Sequence, residues 1–151
     1  IGISVDSLNS HLAWLYDIYL KTGLIVNFPI IADQNGVIAR KYGMISNDVS
    51  STETVRNIFI IDDKGIIRSI FVYPMNIGRY IPEILRTVTA LQYSDQNNCM
   101  TPANWSPGNP MIVPPPKTFN ALRERNESIN KNRNGMCWYL SFKNPETKKL
   151  E

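Results

Sequence analysis

The 151-residue sequence predicts an α/β fold, and three observations carry that prediction. The first 43 residues pass twice from a β-like run into a stretch of helical character. Two β-rich runs then flank Asp62-Asp63-Lys64-Gly65, and from Asp95 the composition turns to proline and asparagine. The order is β-α-β-α-β-β-α followed by an extended tail, and repeated strand-helix alternation argues for parallel strands early in the chain. Hydrophobic residues make up 43% and charged residues 19%, which excludes a disordered, collagen-like or coiled-coil chain.

Residues 1 to 5 alternate Ile1, Ile3 and Val5 with small residues, as a strand does. Asp6 or Ser7 then offers a cap for a helix over LNSHLAWLYDIYLK, whose Leu8, Leu12, Leu15, Ile18 and Tyr19 recur at helical spacing up to a stop near Gly23. NFPIIAD reads as a second strand. Asp33 can cap a short helix containing Val37, Ile38, Lys41 and Tyr42 that stops at Gly43. Asp62, Asp63, Lys64 and Gly65 separate TVRNIFIID from IIRSIFVYP, and Gly65 can take the positive φ a short hairpin loop needs, so the two runs are expected to pair antiparallel. In NIGRYIPEILRTVTALQYS, Ile81, Ile84, Leu85, Val88 and Leu91 share a helix face, with Pro82 tolerated in the first turn. A hairpin followed by a helix is how a thioredoxin-like domain ends. Domain limits are therefore placed at 1–94 and 95–151.

Six prolines between Pro102 and Pro116 exclude a helix or central strand, so this stretch crosses a surface in extended form. It has too few apolar anchors to fold on itself. A polar helix over about 117–130 and the aromatic cluster MCWYLSF complete the chain.

Charge and composition narrow the function. The net charge of +3 is concentrated beyond residue 100, where 8 basic side chains face 4 acidic ones. These are diluted among asparagines with no reading helix, so a solvated arm is expected rather than a nucleic-acid surface. No run approaches a membrane span, and the first ten residues have no basic, signal-like region, so a cytoplasmic location is expected. The opening in an apolar alternation without methionine reads as though upstream sequence had been removed. His11 is the single histidine, which removes most zinc patterns and any catalytic triad not built around it. Asn104-Trp105-Ser106 and Asn126-Glu127-Ser128 fit the glycosylation pattern but are expected to stay bare. The carboxylates of DDKG have a hairpin tip as their ordinary home.

The strings GISVDSLNSHLAW, FPIIAD, IARKYGM, VRNIFIIDDKGIIRSIFVYP, IGRYIPEILR, TPANW and IVPPP, in this order, resemble the peroxiredoxins of the 1-Cys, peroxiredoxin 6-like subfamily. The likeness runs from residue 1 to about residue 143 and is greatest to archaeal and bacterial members with a long C-terminal arm. It implies a thioredoxin-like fold of the AhpC/TSA type plus that arm. It also implies a thiol-dependent peroxidase reducing hydrogen peroxide and alkyl hydroperoxides through a cysteine sulfenic acid, with no metal or organic cofactor. A thiol reductant such as a thioredoxin-like protein and a homodimer or ring of dimers are the implied partners.

The family's attacking cysteine lies in a P-V-C-T-T-E-type motif upstream of the GISVDS strand, and these residues contain no such motif. The chain by itself is accordingly expected to be inactive, and a non-catalytic structural or interaction domain is the alternative reading. Arg56 corresponds to the family's active-site arginine, where a guanidinium lowers a thiol pKa and bonds the departing oxygen; the residues alone would make it an ion-pair partner. Arg79 corresponds to a second pocket arginine. His11 and Trp14, three apart on one helix face, match pocket-associated positions; their default reading is a polar, partly packed helix position and a core or interface aromatic. Some relatives carry a resolving cysteine in the arm. Aligning Trp138-Tyr139-Leu140 puts Ser141 there and Cys137 four residues earlier, so either Cys137 resolves or an external thiol does. Cys99, beside Met100 in a polar loop, reads as incidental.

Overall fold

A computed structural model of the chain describes residues 1–45, 56–132 and 135–144. It divides into two compact units, Ile1–Arg79 and Tyr80–Glu151.

In the first unit, β1 (Gly2–Ser4) and β2 (Ile30–Ala32) pair in parallel, Gly2 opposite Ile30, and α1 (Leu8–Thr22) makes the crossover that parallel strands require. Ser7 caps α1, its side chain accepting from the Ser10 N–H at 3.2 Å. The predicted apolar stripe is only partly covered, for Leu8 and Leu12 stay more than half exposed and His11 is the buried residue of the helix. α2 (Val37–Lys41) is held by Asp33, whose carboxylate accepts from the Ala39 N–H at 2.7 Å, although Gly36 occupies the cap position. The predicted hairpin is present as β3 (Arg56–Ile61) and β4 (Ile67–Tyr73), antiparallel with Arg56 opposite Tyr73 and a bulge at Ile60/Ile61. Thr54 and Val55 of the expected strand lie outside the described residues. Gly65 takes φ +76°, and Asp62 closes the turn by accepting from the Lys64 and Ile66 N–H groups at 3.0 and 2.9 Å.

The second unit begins with α3 (Ile81–Asn97), which has Pro82 in its first turn; of its predicted apolar face, Ile81 and Leu85 remain exposed. The proline-rich stretch that follows corrects the expectation that it cannot fold on itself. Trp105 is 1% exposed and Met111 is fully buried. Trp105 packs on Tyr93 with ring centroids 5.5 Å apart, donates from Nε1 to the Asn109 carbonyl at 3.0 Å, and accepts at its own carbonyl from Arg86, which also grips Glu83. Turns between the prolines, rather than a continuous extended path, bring this tryptophan inward. β5 (Met111–Ile112), β6 (Gly135–Cys137) and β7 (Leu140–Lys143) form an antiparallel sheet in the order β5-β7-β6, with α4 (Phe119–Asn132) preceding the terminal hairpin. At Gly135 a Cβ would stand 2.8 Å from the Ser141 backbone, so the close approach of β6 to β7 needs glycine.

Candidate active-site cavity

The first unit contains an open cavity of about 1420 Å³. Its walls are mostly apolar, with Ile3, Ile30, Met44, Ile58 and Phe59 among them, and its polar members are few: Ser4, Asp6, Ser10, His11, Arg56, Asn57 and Arg79. An apolar cleft with a small set of convergent polar groups is the usual form of a ligand or catalytic site.

Each polar member is placed by a local feature. Arg56 opens β3, and its guanidinium reaches the Ile77 carbonyl at 3.4 Å, a long and weak contact. Arg79 follows the turn closed by the Ile77 N–H on the Pro74 carbonyl and is exposed. Ser4 ends β1, and its hydroxyl is a hub: it accepts from the Asp6 N–H at 3.1 Å, contacts Asp6 Oδ2 at 2.8 Å and lies 2.6 Å from His11 Nε2. A carboxylate can only accept, so the single Ser4 proton goes to Asp6 and His11 donates from Nε2. The imidazole is 6% exposed, a deeper setting than the partly packed helix position its sequence suggests. Trp14 also lines the cavity and is 57% exposed, so of the core and interface readings the core one does not hold within this chain.

Arg56, Arg79, His11 and Trp14, singled out separately in the sequence, thus line one cavity. Ser4, Asp6 and Asn57 were not singled out. Ser4 and Asp6 had a readable signal, a strand end two residues from a carboxylate and seven from the only histidine. Between β2 and α2, burial pushes the Asp33 carboxyl up, but the N–H groups of Ala39, Ile38 and Val37 and the charge of Arg40 outweigh it and hold the group below its ordinary value. Among the described residues no carboxylate is bonded to either guanidinium, and such a pair can hold an anion or an oxygen on which negative charge develops.

Both cysteines belong to the second unit and are free thiols. Cys99 is 5% exposed in the loop that follows α3, with its N–H on the Ser94 carbonyl and its own carbonyl accepting from Ser94 Oγ at 2.5 Å. Cys137 is half-buried on the edge strand β6, and its hydrogen bond to Tyr139 pushes the phenol above its ordinary value. Ser141 is buried. Among the described residues no cluster of His, Cys, Asp and Glu could hold a metal, and no helix is long and apolar enough to cross a membrane.

Comparison with known proteins decides the family. Residues 1–70 match the AhpC/TSA family, and residues 90–128 match the C-terminal domain of 1-Cys peroxiredoxin. A peroxiredoxin of Aquifex aeolicus is 43% identical over 153 residues, covering 95% of this chain and 68% of that protein. The chain belongs to the peroxiredoxin family. Peroxiredoxin 2 of Caldanaerobacter subterraneus is 51% identical over 145 residues, and the chain spans 64% of its length. Among solved structures, yeast mitochondrial 1-Cys peroxiredoxin has a TM-score of 0.78 at 36% identity over 95% of this chain and 68% of that one. Peroxiredoxin 6 of Arenicola marina has a TM-score of 0.76 at 28% identity, covering 97% and 70%. The thioredoxin-like peroxiredoxin fold implied by the motif resemblance is therefore the fold of this chain.

Proposed function

We propose that the protein carrying this chain is a thiol-dependent peroxidase for hydrogen peroxide and alkyl hydroperoxides. The observation that carries the reading is the placement of Arg56 and Arg79 on one apolar cavity in a chain of the peroxiredoxin family. A thiolate from a cysteine outside the 151 residues attacks the nearer peroxide oxygen. The O–O bond breaks, the sulfur becomes a sulfenic acid, and the alkoxide or hydroxide leaves and takes a proton to become alcohol or water. The guanidiniums stabilise the thiolate before attack and the departing oxygen during it. A thiol then condenses with the sulfenic acid, releasing water and forming a disulfide, and a second thiol equivalent reduces that disulfide.

Cys137 is the thiol of this chain suited to resolution, being half-buried on an edge strand while Cys99 is enclosed. The yeast relative is described as resolving its thiol via glutathione and thioredoxin systems, which supports an external thiol reductant of that class here. A dimer or ring of dimers and a cytoplasmic location belong to the same proposal. No observation favours a non-catalytic interaction domain.

The test is peroxide consumption by the natural gene product containing these residues, with a dithiol reductant. Turnover with one sulfenic acid per subunit in the absence of reductant is expected. The 151-residue chain alone should consume peroxide no faster than its Cys99→Ser/Cys137→Ser form. A gene product without turnover, or rapid turnover by the chain alone that the double substitution abolishes, would overturn the reading.

A further inference from the structure

Cys137 ends a strand whose own turn specifies it poorly. It is the last residue of β6 and pairs with Leu140, so only Trp138 and Tyr139 connect the two strands. Two-residue hairpin loops favour the mirror-image turns, in which the first or both residues have positive φ, because these match the twist of the strands. Neither Trp138 nor Tyr139 has a positive φ, and the pairing shifts register between Gly135 and Cys137. β7 is fixed on its far side by β5 and by the Val113 N–H on the Ser141 carbonyl, whereas β6 is an edge, so β6 is the strand that can leave. A group on α4 holds the turn. Nη1 of Arg125 donates to the Trp138 carbonyl at 3.3 Å and to the Pro114 carbonyl, just beyond β5, at 2.6 Å. One charged nitrogen thus ties the turn next to Cys137 to the fixed side of the sheet, and charge makes such bonds stronger than neutral ones.

We propose that Arg125 is the positioning residue for Cys137: a latch that keeps β6 on β7 and whose opening sets how fast the thiol becomes reactive. The inference deepens the reading of Cys137 as the resolving thiol and rests on it for its consequence. A thiol that must meet a sulfenic acid outside this sheet has to leave its paired place on β6, since a disulfide demands close and specific geometry. The Cys137 sulfur then attacks the sulfenic sulfur; the S–S bond forms, the S–O bond breaks, and the hydroxide leaves as water with the thiol proton. The oxidant is the peroxide already consumed. Arg125 acts on this step only through the two carbonyls it holds.

The second cysteine of the unit makes the test specific. The natural gene product containing these residues is compared with its Arg125→Met and Arg125→Lys forms by mass mapping after iodoacetamide. Cys99, 5% exposed in the same unit, reports any general loosening. Arg125→Met keeps an apolar stem without donors and should speed alkylation of Cys137 about tenfold, the loss of about one net hydrogen bond, with Cys99 unchanged. Arg125→Lys keeps a cation with N–H donors and should lie nearer the parent. After one equivalent of peroxide without reductant, the Met form should make the Cys137 disulfide faster, while its sulfenic acid forms at the parent's rate. Unchanged alkylation of Cys137, or equal acceleration of both cysteines, would overturn the latch. Selective acceleration with no Cys137 disulfide in any of the three proteins would uphold the latch and overturn resolution by Cys137.

Discussion

The two units differ in what they bury. In Ile1–Arg79 the buried side chains among the described residues are His11, Asp33, Ala39 and Met44, two of them polar and one a single methyl. In the second unit they include Trp105 and Met111, the largest fully buried side chains described. The first unit has clear strand-helix periodicity, yet it encloses an open cavity, with Ile70 and Val72 on its hairpin more than half exposed. The second unit reads as a proline-rich arm, yet it closes around a tryptophan. Periodicity reports which face of an element is apolar; it does not report whether something lies against that face.

The largest expected effect breaks that contrast if it fails. Trp105→Ala removes the anchor of the second unit together with its bond to Asn109 and should cost about 3–5 kcal/mol. Trp14→Ala, at a position 57% exposed, should stay within about 0.5 kcal/mol in the isolated chain. Urea unfolding of both variants gives the comparison. Equal losses would mean that the first unit is packed as tightly as the second.

The next effect concerns chemistry rather than packing. In the natural gene product, Arg56→Ala should slow peroxide attack about a hundredfold, roughly 3 kcal/mol of transition-state stabilisation, with the circular dichroism unchanged. Stopped-flow rates decide it, and a rate within twofold of the parent would remove Arg56 from the mechanism. Thiol alkylation then sharpens the picture of the second unit. Cys137 should react in the folded chain, and Cys99 more than an order of magnitude more slowly, because it must wait for the packing around Ser94 to open. Mass mapping after iodoacetamide distinguishes the two, and equal rates would show that Cys99 is not enclosed.

What was legible in the sequence follows the range of the forces involved. The order β-α-β-α-β-β-α, a cap at Asp6 or Ser7, the Gly65 turn and the Pro82 start are set by neighbours a few residues apart and could be read directly, and the structure chooses Ser7. The hairpin of β6 and β7 could not, since its turn at Trp138-Tyr139 carries no glycine or asparagine and its one glycine requirement, at Gly135, arises from the approach of Ser141. The burial of Trp105 depends on Tyr93, Arg86 and Asn109, which no local pattern connects. Of the cavity, the motif resemblance found Arg56, Arg79, His11 and Trp14. It passed over Ser4 and Asp6, whose signal, a strand end near a carboxylate and the single histidine, becomes specific only through the hydrogen bonds that join Asp6 to Ser4 and Ser4 to His11.

The smallest expected effect separates the units by acid sensitivity. Asp33 and Asp62 in the first unit and Glu83 in the second all have carboxyls held below their ordinary values. For Asp33 burial opposes the backbone N–H donors and the Arg40 charge, and these prevail. For Asp62 the Ile66 N–H leads, with the Lys64 N–H and Arg68 adding to it, and for Glu83 the Arg86 guanidinium leads. A carboxyl whose pKa is lower folded than unfolded stabilises the fold at pH values above its ordinary one, 3.8 for the two aspartates and 4.5 for the glutamate. That contribution fades as the pH falls through the folded value. The chain should therefore lose stability on going from pH 5 into the range below 4. Asp62→Asn should lower the urea midpoint at pH 7 but not at a pH low enough to protonate Asp62 in the folded chain, where the parent's own carboxyl is neutral as well. Glu83→Gln should show the same convergence, beginning higher in pH because the ordinary value is higher. A substitution that lowers the midpoint equally at both pH values would show that its side chain acts through shape rather than charge.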